Sequence, residues 1–185
     1  MSAKEKAANS NLEFRIEGSL AERGVSISEK QSIDDLSSRG YGVAKGKELL
    51  LTFCEALYLL DKQILEVKTE KGAKVTFQTL VQIYGRINEN AWAGYLVYRD
   101  LRSRGYVVRE GFGSKVDFRV YDRGDYSKDA AKYLILSVQE GKPMSIPDLT
   151  NSLTESLSLK KELILAVVNR RGEIVYYSVS ELTLK

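Results

Sequence analysis

Histidine is missing from all 185 residues. Without an imidazole the chain supplies no Ser-His-Asp triad, no histidine general acid and none of the histidine-containing metal sites. A single cysteine, Cys54, excludes an intrachain disulfide and a four-cysteine metal cluster. It stands in the apolar run Leu49 to Leu60, where it reads as core filler. That run is interrupted by Thr52, Glu55 and Tyr58 and falls short of the roughly 20 residues a membrane-spanning helix needs. The opening residues MSAKEKAANSN lack the apolar stretch of a secretory signal, which points to a cytoplasmic protein without membrane contact. Glycine-rich phosphate loops, Cys-x-x-Cys pairs and the spacing of a catalytic carboxylate pair are also missing. With 2 Pro and 14 Gly the chain is neither fibrous nor of low complexity. What is present, 43% hydrophobic and 29% charged residues, is the composition of a soluble protein that buries a core. Carboxylate, lysine or tyrosine chemistry, binding and scaffolding remain open.

The formal charge is +3. Residues 1–85 carry 12 Lys+Arg against 12 Asp+Glu and residues 86–185 carry 16 against 13, so the excess sits in the second half. Three charges permit a nucleic-acid partner without requiring one. A repeat says more about organisation. Asp35-Leu-Ser-Ser-Arg-Gly-Tyr-Gly-Val43 and Asp100-Leu-Arg-Ser-Arg-Gly-Tyr-Val-Val108 agree at seven of nine positions. Each reads as a helix end with Arg in the last turn and Gly at the cap, followed by a strand.

The sequence predicts an α/β (α+β) protein in three stretches: a flexible segment 1–11, a small α+β domain 12–85 and a second domain 86–185. In the first domain the runs 12–18 and 23–27 alternate as a hairpin, and Ser32 to Arg39 is a short helix. Glu48 to Asp61 reads as a second, more buried helix. Glu66 to Lys68 and Lys74 to Phe77 form a ribbon, and Phe77 to Tyr84 a last helix before a boundary at Gly85 to Asn90. In the second domain Asn90 to Arg104 is a helix with a stripe at 94, 97, 98 and 101, widened by Trp92 and Tyr95. Strands follow at Tyr106 to Arg109 and Val116 to Tyr121, with a central strand at Tyr133 to Val138. Ser145, Pro147 and Asp148 open a helix buried along Ile146, Leu149, Leu153 and Leu157. Leu163 to Val168 is a core strand, and Ile174 to Val179 returns antiparallel after the turn Asn169 to Gly172. The order is α-β-β-β-α-β-β, a mixed sheet flanked by helices.

Three groups of residues stand out. Tyr176 and Tyr177 lie on opposite faces of the last strand, so one of them points away from the core. That tyrosine is an interface marker or an ordinary half-exposed side chain, and the strand itself an open edge. Arg109, Lys115, Arg119 and Arg123, with Arg170 and Arg171 on a turn, either track phosphates or, interleaved with Glu110, Asp117, Asp122 and Asp125, form a solvated ion-pair surface. Tyr121 ends one strand and Lys160-Lys161 precede another, a pair that shares a cleft or merely flanks a sheet.

Gly105-Tyr-Val-Val-Arg109, Gly111 and Asp117-Phe-Arg-Val-Tyr121 resemble the opening of the catalytic domain of the archaeal tRNA-splicing endonucleases. Tyr133-Leu134, the helix Leu149 to Leu159, Lys160-Lys161, Ala166-Val-Val168, Gly172 and Val175-Tyr-Tyr177 continue that pattern in order. Ser38-Arg-Gly-Tyr-Gly42 and Glu55-Ala-Leu-Tyr-Leu59 are similar to the family's N-terminal domain. The resemblance implies a small N-terminal domain followed by a nuclease-like one, and metal-independent cleavage of precursor tRNA at a bulge-helix-bulge. The ribose 2′-hydroxyl attacks the adjacent phosphate, leaving a 2′,3′-cyclic phosphate and a 5′-hydroxyl. The family assigns a Tyr as general base, a His as general acid and a Lys to the charged transition state. These positions fall on Tyr121, Ala130 and Lys161.

Ala130 is the departure that matters, because a methyl group cannot protonate the 5′-oxygen. Some members of the family pair a catalytic with a structural subunit, and this chain resembles the structural one. The resemblance then implies a two-plus-two heterotetramer with a homologous catalytic subunit, precursor tRNA as the RNA partner, no cofactor and no metal. Ile174, Val175, Tyr176, Tyr177 and Val179 would form the interface strand, as the last strands pair in the family. Two further departures are the basic turn Asn169-Arg-Arg-Gly-Glu173, commonly acidic in the family, and Gly113-Ser-Lys-Val116 in place of Lys-Phe-Gly. The alternatives are a stand-alone RNA-binding module of the same shape, and a nuclease working through Tyr121 and Lys161 without histidine.

Overall fold

The computed structural model describes residues 16–111, 116–122, 126 and 130–182. Two compact units divide between Gln82 and Ile83. The first opens with the hairpin β1 (Ile16–Ala21) and β2 (Gly24–Ile27), followed by helix α1 (Lys30–Ser38); the expected first strand 12–18 overlaps β1 only at 16–18, since β1 runs on to Ala21 and residues 12–15, like the expected flexible segment 1–11, lie outside the described residues. Then come β3 (Val43–Lys45), β4 (Glu48–Leu51), helix α2 (Phe53–Asp61), β5 (Leu65–Lys68) and β6 (Lys74–Val75). The six strands lie in the order β3-β4-β2-β1-β5-β6, with β1 and β5 parallel.

The expected helix from Glu48 to Asp61 is wrong in its first third. Glu48–Leu51 is a strand between β3 and β2, with Leu49 and Leu51 pointing inward. A capping box starts the helix after it: Glu55 N donates to Thr52 Oγ1 (3.3 Å) and Thr52 N to Glu55 Oε2 (2.8 Å). The other Glu55 oxygen accepts from Gly42 N at 3.1 Å, so this buried carboxylate ties the Gly corner to the helix start. The two segments that carry the N-terminal resemblance meet at that side chain.

Helix α3 (Phe77–Ile87) runs on through Gly85, and α4 (Ala91–Ser103) opens the second sheet. Strands β7 (Val107–Glu110), β8 (Phe118–Tyr121) and β9 (Tyr133–Gln139), helix α5 (Ile146–Ser158), and strands β10 (Glu162–Val168) and β11 (Ile174–Val179) complete it. The element order matches the α-β-β-β-α-β-β expected from the sequence. Strand order is β11-β10-β9-β8-β7, with β9 central, β9 and β10 parallel, and the other pairs antiparallel.

Three packing expectations need correction. Trp92 does not widen the buried stripe of α4 but stands 47% exposed. Ile146 and Leu157, expected inside, are 73% and 50% exposed. Helix α5 instead buries Ser152, Leu153 and Ser156, with Leu153 in a cluster with Val116, Leu134 and Leu163. Small serines on the buried side let the helix approach the sheet and turn the larger residues outward. In β10, expected fully buried, Leu165 and Val167 are only half covered, because α5 shields the start of the strand and leaves its end open.

The two copies of the repeat fold alike. Gly40 (φ 74°) and Gly105 (φ 88°) adopt the left-handed conformation that ends each helix. Tyr41 N donates to Leu36 O at 2.9 Å and Tyr106 N to Leu101 O at 3.2 Å, the six-to-one bond of a Schellman turn. Each copy also pairs its Asp with its Arg, Asp35 with Arg39 and Asp100 with Arg104. In the second copy Tyr176 of β11 joins the pair, its hydroxyl donating to Asp100 Oδ2 at 2.7 Å. Burial and this bond both push the Tyr176 phenol well above its ordinary range. Tyr176→Phe is expected to cost about 1.5–3 kcal/mol, the worth of a hydrogen bond to a charged group. Urea unfolding checks it: the midpoint should fall with the slope unchanged, and an unmoved midpoint would mean that the bond contributes nothing.

Candidate functional site

A cleft of about 460 Å³ opens where β8 ends and β9 and β10 begin, lined by Asp122, Ala130, Ala131, Lys132, Leu159, Lys160 and Lys161. The end of α5 places the lysines. Lys160 takes a left-handed conformation (φ 55°) and donates its N–H to Leu157 O at 3.0 Å, while Lys161 N reaches Ser156 O at 2.9 Å. This turn delivers Lys161 to the first residue before β10. Its ammonium group donates to the carbonyl oxygen of Ala131, which holds the side chain beside Ala130. The structure therefore brings Lys161 and Ala130 into one cleft, and the Ala130 side, exposed, offers only a methyl group.

Tyr121 closes β8 one residue before Asp122 of the cleft. It is half-buried, with its ring edge-on to Tyr126 at 5.1 Å between centroids. Arg109 and Arg119 are directly paired across β7 and β8, and Tyr121 follows two residues on, so all three share one face of the sheet. The Arg109 guanidinium lies 5.9 Å from the Tyr126 ring centre, and Arg119 Nε donates to Glu110 O at 2.8 Å. Lys132 sits 3.6 Å from the Asp122 carboxylate. Tyr126, Lys132 and Asp122 carry no motif, and nothing in sequence spacing alone puts them together.

The remaining candidate residues divide. Lys115 and Arg123 lie outside the described residues. Arg170 and Arg171 stand on the β10–β11 turn, past the far end of β10 from Lys161 and thus about 23 Å away at about 3.3 Å per strand residue, so they do not belong to the cleft. Their turn is held from within: Asn169 Oδ1 accepts from Arg171 N (2.9 Å) and Glu173 N (3.0 Å), while Asn169 Nδ2 donates to Glu173 Oε2 (2.7 Å). Glu173 is thus held by Asn169, and with Arg170 and Arg171 it is exposed, two positive charges against one negative.

The last strand has two different faces. Tyr176 turns to α4 and Asp100, whereas Tyr177 and Val175 are 53% and 51% exposed on the opposite face. Register aligns Tyr177 with Leu165 and Leu136, and Val175 with Val167 and Val138. Six apolar side chains therefore make an open patch on the β11 end of the sheet, and β11 is the edge strand. Sequence reading finds the two residues of β11 but misses the four on β9 and β10, which look like core yet are only half-buried, Leu136 and Val138 bordering a pocket beside Asp148 and Ser152 of α5.

Asp117, just before β8, is a further polar group placed by the fold. Its carboxylate accepts from Ser137 N of β9 at 2.6 Å. Burial raises its pKa above the usual carboxylate range, against the lowering effect of Ser137. A carboxylate with a raised folded pKa contributes its full share of stability below the ordinary range and loses it as pH rises through the folded value. Asp117→Asn, which keeps an acceptor but cannot ionise, should gain stability relative to the unsubstituted chain as pH rises above about 4, the ordinary aspartate value. Urea melts across that range check it; a constant difference would show that the Asp117 carboxyl has the same pKa folded and unfolded. Among the described residues no group of three Asp, Glu or Cys is placed to hold a metal ion. No helix among them is long and apolar enough to cross a membrane.

Comparison with known proteins gives the frame for this geometry. Residues 16–81 match the model of the N-terminal domain of tRNA intron endonucleases, and residues 91–176 that of the catalytic C-terminal domain. The chain is 34% identical over 169 residues to a tRNA-splicing endonuclease of Methanococcus vannielii, covering 91% of this chain and 96% of the relative. It is 36% identical over 169 residues to that of Pyrococcus furiosus, covering 91% and 95%. A longer tRNA-splicing endonuclease of Methanococcoides burtonii is 36% identical over 159 residues, which are 85% of this chain and 44% of that one.

Proposed function

This chain belongs to the tRNA intron endonuclease family, and from that premise we propose that it is the structural, non-catalytic subunit of a tRNA-splicing endonuclease. It assembles with a homologous catalytic chain, two copies of each, in the cytoplasm, and the complex cuts precursor tRNA at bulge-helix-bulge introns. One observation carries the reading: the cleft that holds Lys161 presents Ala130, in a chain without histidine. In the family's reaction a base removes the proton of the 2′-hydroxyl as its oxygen attacks phosphorus. The P–O5′ bond then breaks, and the leaving 5′-oxygen takes a proton from a general acid. Tyr121 stands at the position of the base and Lys161 at that of the transition-state cation, yet the position of the general acid is Ala130, whose methyl group has no proton to give. Loss of general acid catalysis typically costs 10²–10⁴-fold.

What is left suits binding and assembly. Arg109 and Arg119 beside Tyr121, with Lys132, Lys160 and Lys161, give a cationic surface on which RNA phosphates can be held. Lys115, Arg123, Arg170 and Arg171 are assigned to the same task. Ile174, Val175, Tyr176, Tyr177 and Val179 are assigned to the partner interface, with Tyr177 and Val175 as its exposed apolar members. The retained cations equally suit a stand-alone RNA-binding module, and reconstitution separates the two. In a complex rebuilt from this chain and its catalytic partner, Tyr121→Ala or Lys161→Ala introduced here should leave most of the cleavage rate intact, because the working copies lie in the other chain. A hundredfold loss in a folded variant would mean that this chain supplies chemistry. Failure to co-purify with any chain of similar size would favour the stand-alone module.

A further inference from the structure

We infer that the outer row of α4, from Trp92 to Arg99, and the Arg170–Arg171 turn beside it bind single-stranded RNA, one base stacking on Trp92 while the arginines hold phosphates. This rests on the RNA partner proposed above and not on the subunit role. From Ala91 to Arg99 only Trp92 and Arg99 are exposed, and at a spacing of seven residues they stand on one stripe of the helix. The buried Tyr95 ring joins them, its centre 5.5 Å from that of the Trp92 ring and 5.7 Å from Arg99 Cζ. The indole itself keeps 47% of its surface open.

Gly172 brings the turn to this row: a methyl group added there would lie 3.5 Å from Leu96 Cδ1. Leu96 follows Trp92 by four residues, about 6 Å along the helix at about 1.5 Å per residue, so the arginines just before Gly172 open beside the row. Asn169 Oδ1, accepting from Arg171 N and Glu173 N, fixes the turn in advance, which lowers the ordering cost of binding. Charge here is one-sided. Residues 91–99 carry no carboxylate, and the flanking acids are engaged: Glu89 by Lys142 at 3.0 Å, Asp100 by Arg104 and Tyr176, Glu173 by Asn169. No ion pair among the described residues takes Arg99, Arg170 or Arg171. An acidic protein surface would meet the arginines and leave the indole idle. A nucleotide satisfies both, its base offering a π-face to Trp92 and its phosphates matching the planar guanidinium forks. Such contacts read no base edge, so the surface should accept any unpaired sequence.

Trp92 is the one tryptophan of the chain, so its fluorescence reports the site directly. Titration of the full chain with hexaadenylate RNA should quench that fluorescence and saturate. Replacing both Arg170→Ala and Arg171→Ala should weaken binding and lower the slope of log affinity against log salt by about 1.4, two phosphate contacts at about 0.7 each. Trp92→Ala, followed by the anisotropy of a fluorescein-labelled hexaadenylate, should bind at least about fivefold more weakly with the slope unchanged. An abasic chain of the same length should bind the unsubstituted protein as weakly. Circular dichroism reports whether each variant is folded, and the exposed arginine pair tests the site independently of Trp92→Ala. Saturable RNA binding without quenching, unchanged affinity in either folded variant, or quenching by hexaglutamate but not by RNA would overturn the inference. Because binding is read on this chain alone, a rebuilt complex that fails to cut would count against the subunit role and leave this result standing.

Discussion

Replacing Ala130 by His should turn the purified chain from inactive into a nuclease for bulge-helix-bulge RNA. The expected gain is about 10²–10⁴-fold over the unsubstituted chain, the usual worth of a positioned general acid. So large an effect is expected if the positions that match the family's base and cation still act at this cleft, which Lys161 lines and next to which Tyr121 lies in sequence. Lys161 is anchored on the carbonyl of Ala131, the neighbour of Ala130, and Tyr121 ends β8 beside cleft residue Asp122. Ala130 is exposed, so an imidazole replaces solvent rather than core and should not disturb folding. The pH profile should carry the signature of the new group: cleavage falls as pH rises through about 6.5, where the imidazolium loses its proton. A folded variant that stays inactive would show that Tyr121 and Lys161 no longer stand in reacting geometry, and would move the reading to a binding module.

The second large effect is expected at the open end of the sheet. Tyr177→Lys should weaken assembly with the catalytic partner at least about 30-fold, the effect of losing one central interface residue. Light scattering at fixed concentration measures it. Tyr177 is half exposed on the edge strand and lies in register with Leu165 and Leu136, so the lysine places a charge on the edge of the apolar patch that a partner strand would meet. Its neighbour Tyr176 is already engaged by Asp100, which holds β11 in place whether or not a partner is present. An edge strand with an apolar face and unpaired backbone groups on its outer side is a surface that a soluble protein covers. Unchanged assembly by Tyr177→Lys would place the interface elsewhere, first at the Arg170–Arg171 turn.

How far the sequence reveals all this depends on the range of the interaction. Local signals are read well. Ser145 caps α5, accepting from Asp148 N at 3.2 Å, and Gly40 and Gly105 end their helices as the repeat predicts. The order of elements in the second unit follows from period and punctuation alone. Glu48–Leu51 is misread because a short apolar run beside a helix has no period of its own; the Thr52-x-x-Glu55 box was the signal that marked the true start. The exposure of Ile146, Leu157, Leu165 and Val167 is not legible, since it depends on where α5 lies across the sheet and how much of it the helix covers. The site divides the same way. Tyr121, Ala130 and Lys161 come from resemblance, position by position, whereas the Asp117 contact to Ser137 and the edge-on contact of Tyr121 with Tyr126 join residues through the fold.

The most direct measurement of the central claim is cleavage by the chain alone. Purified protein incubated with a bulge-helix-bulge RNA in the presence of a chelator should cut no faster than background, and addition of a homologous chain carrying the missing histidine should bring cutting at the two intron boundaries. Efficient, site-specific cleavage by the chain alone would contradict the account, because Tyr121 and Lys161 would then be sufficient without the proton that Ala130 cannot give.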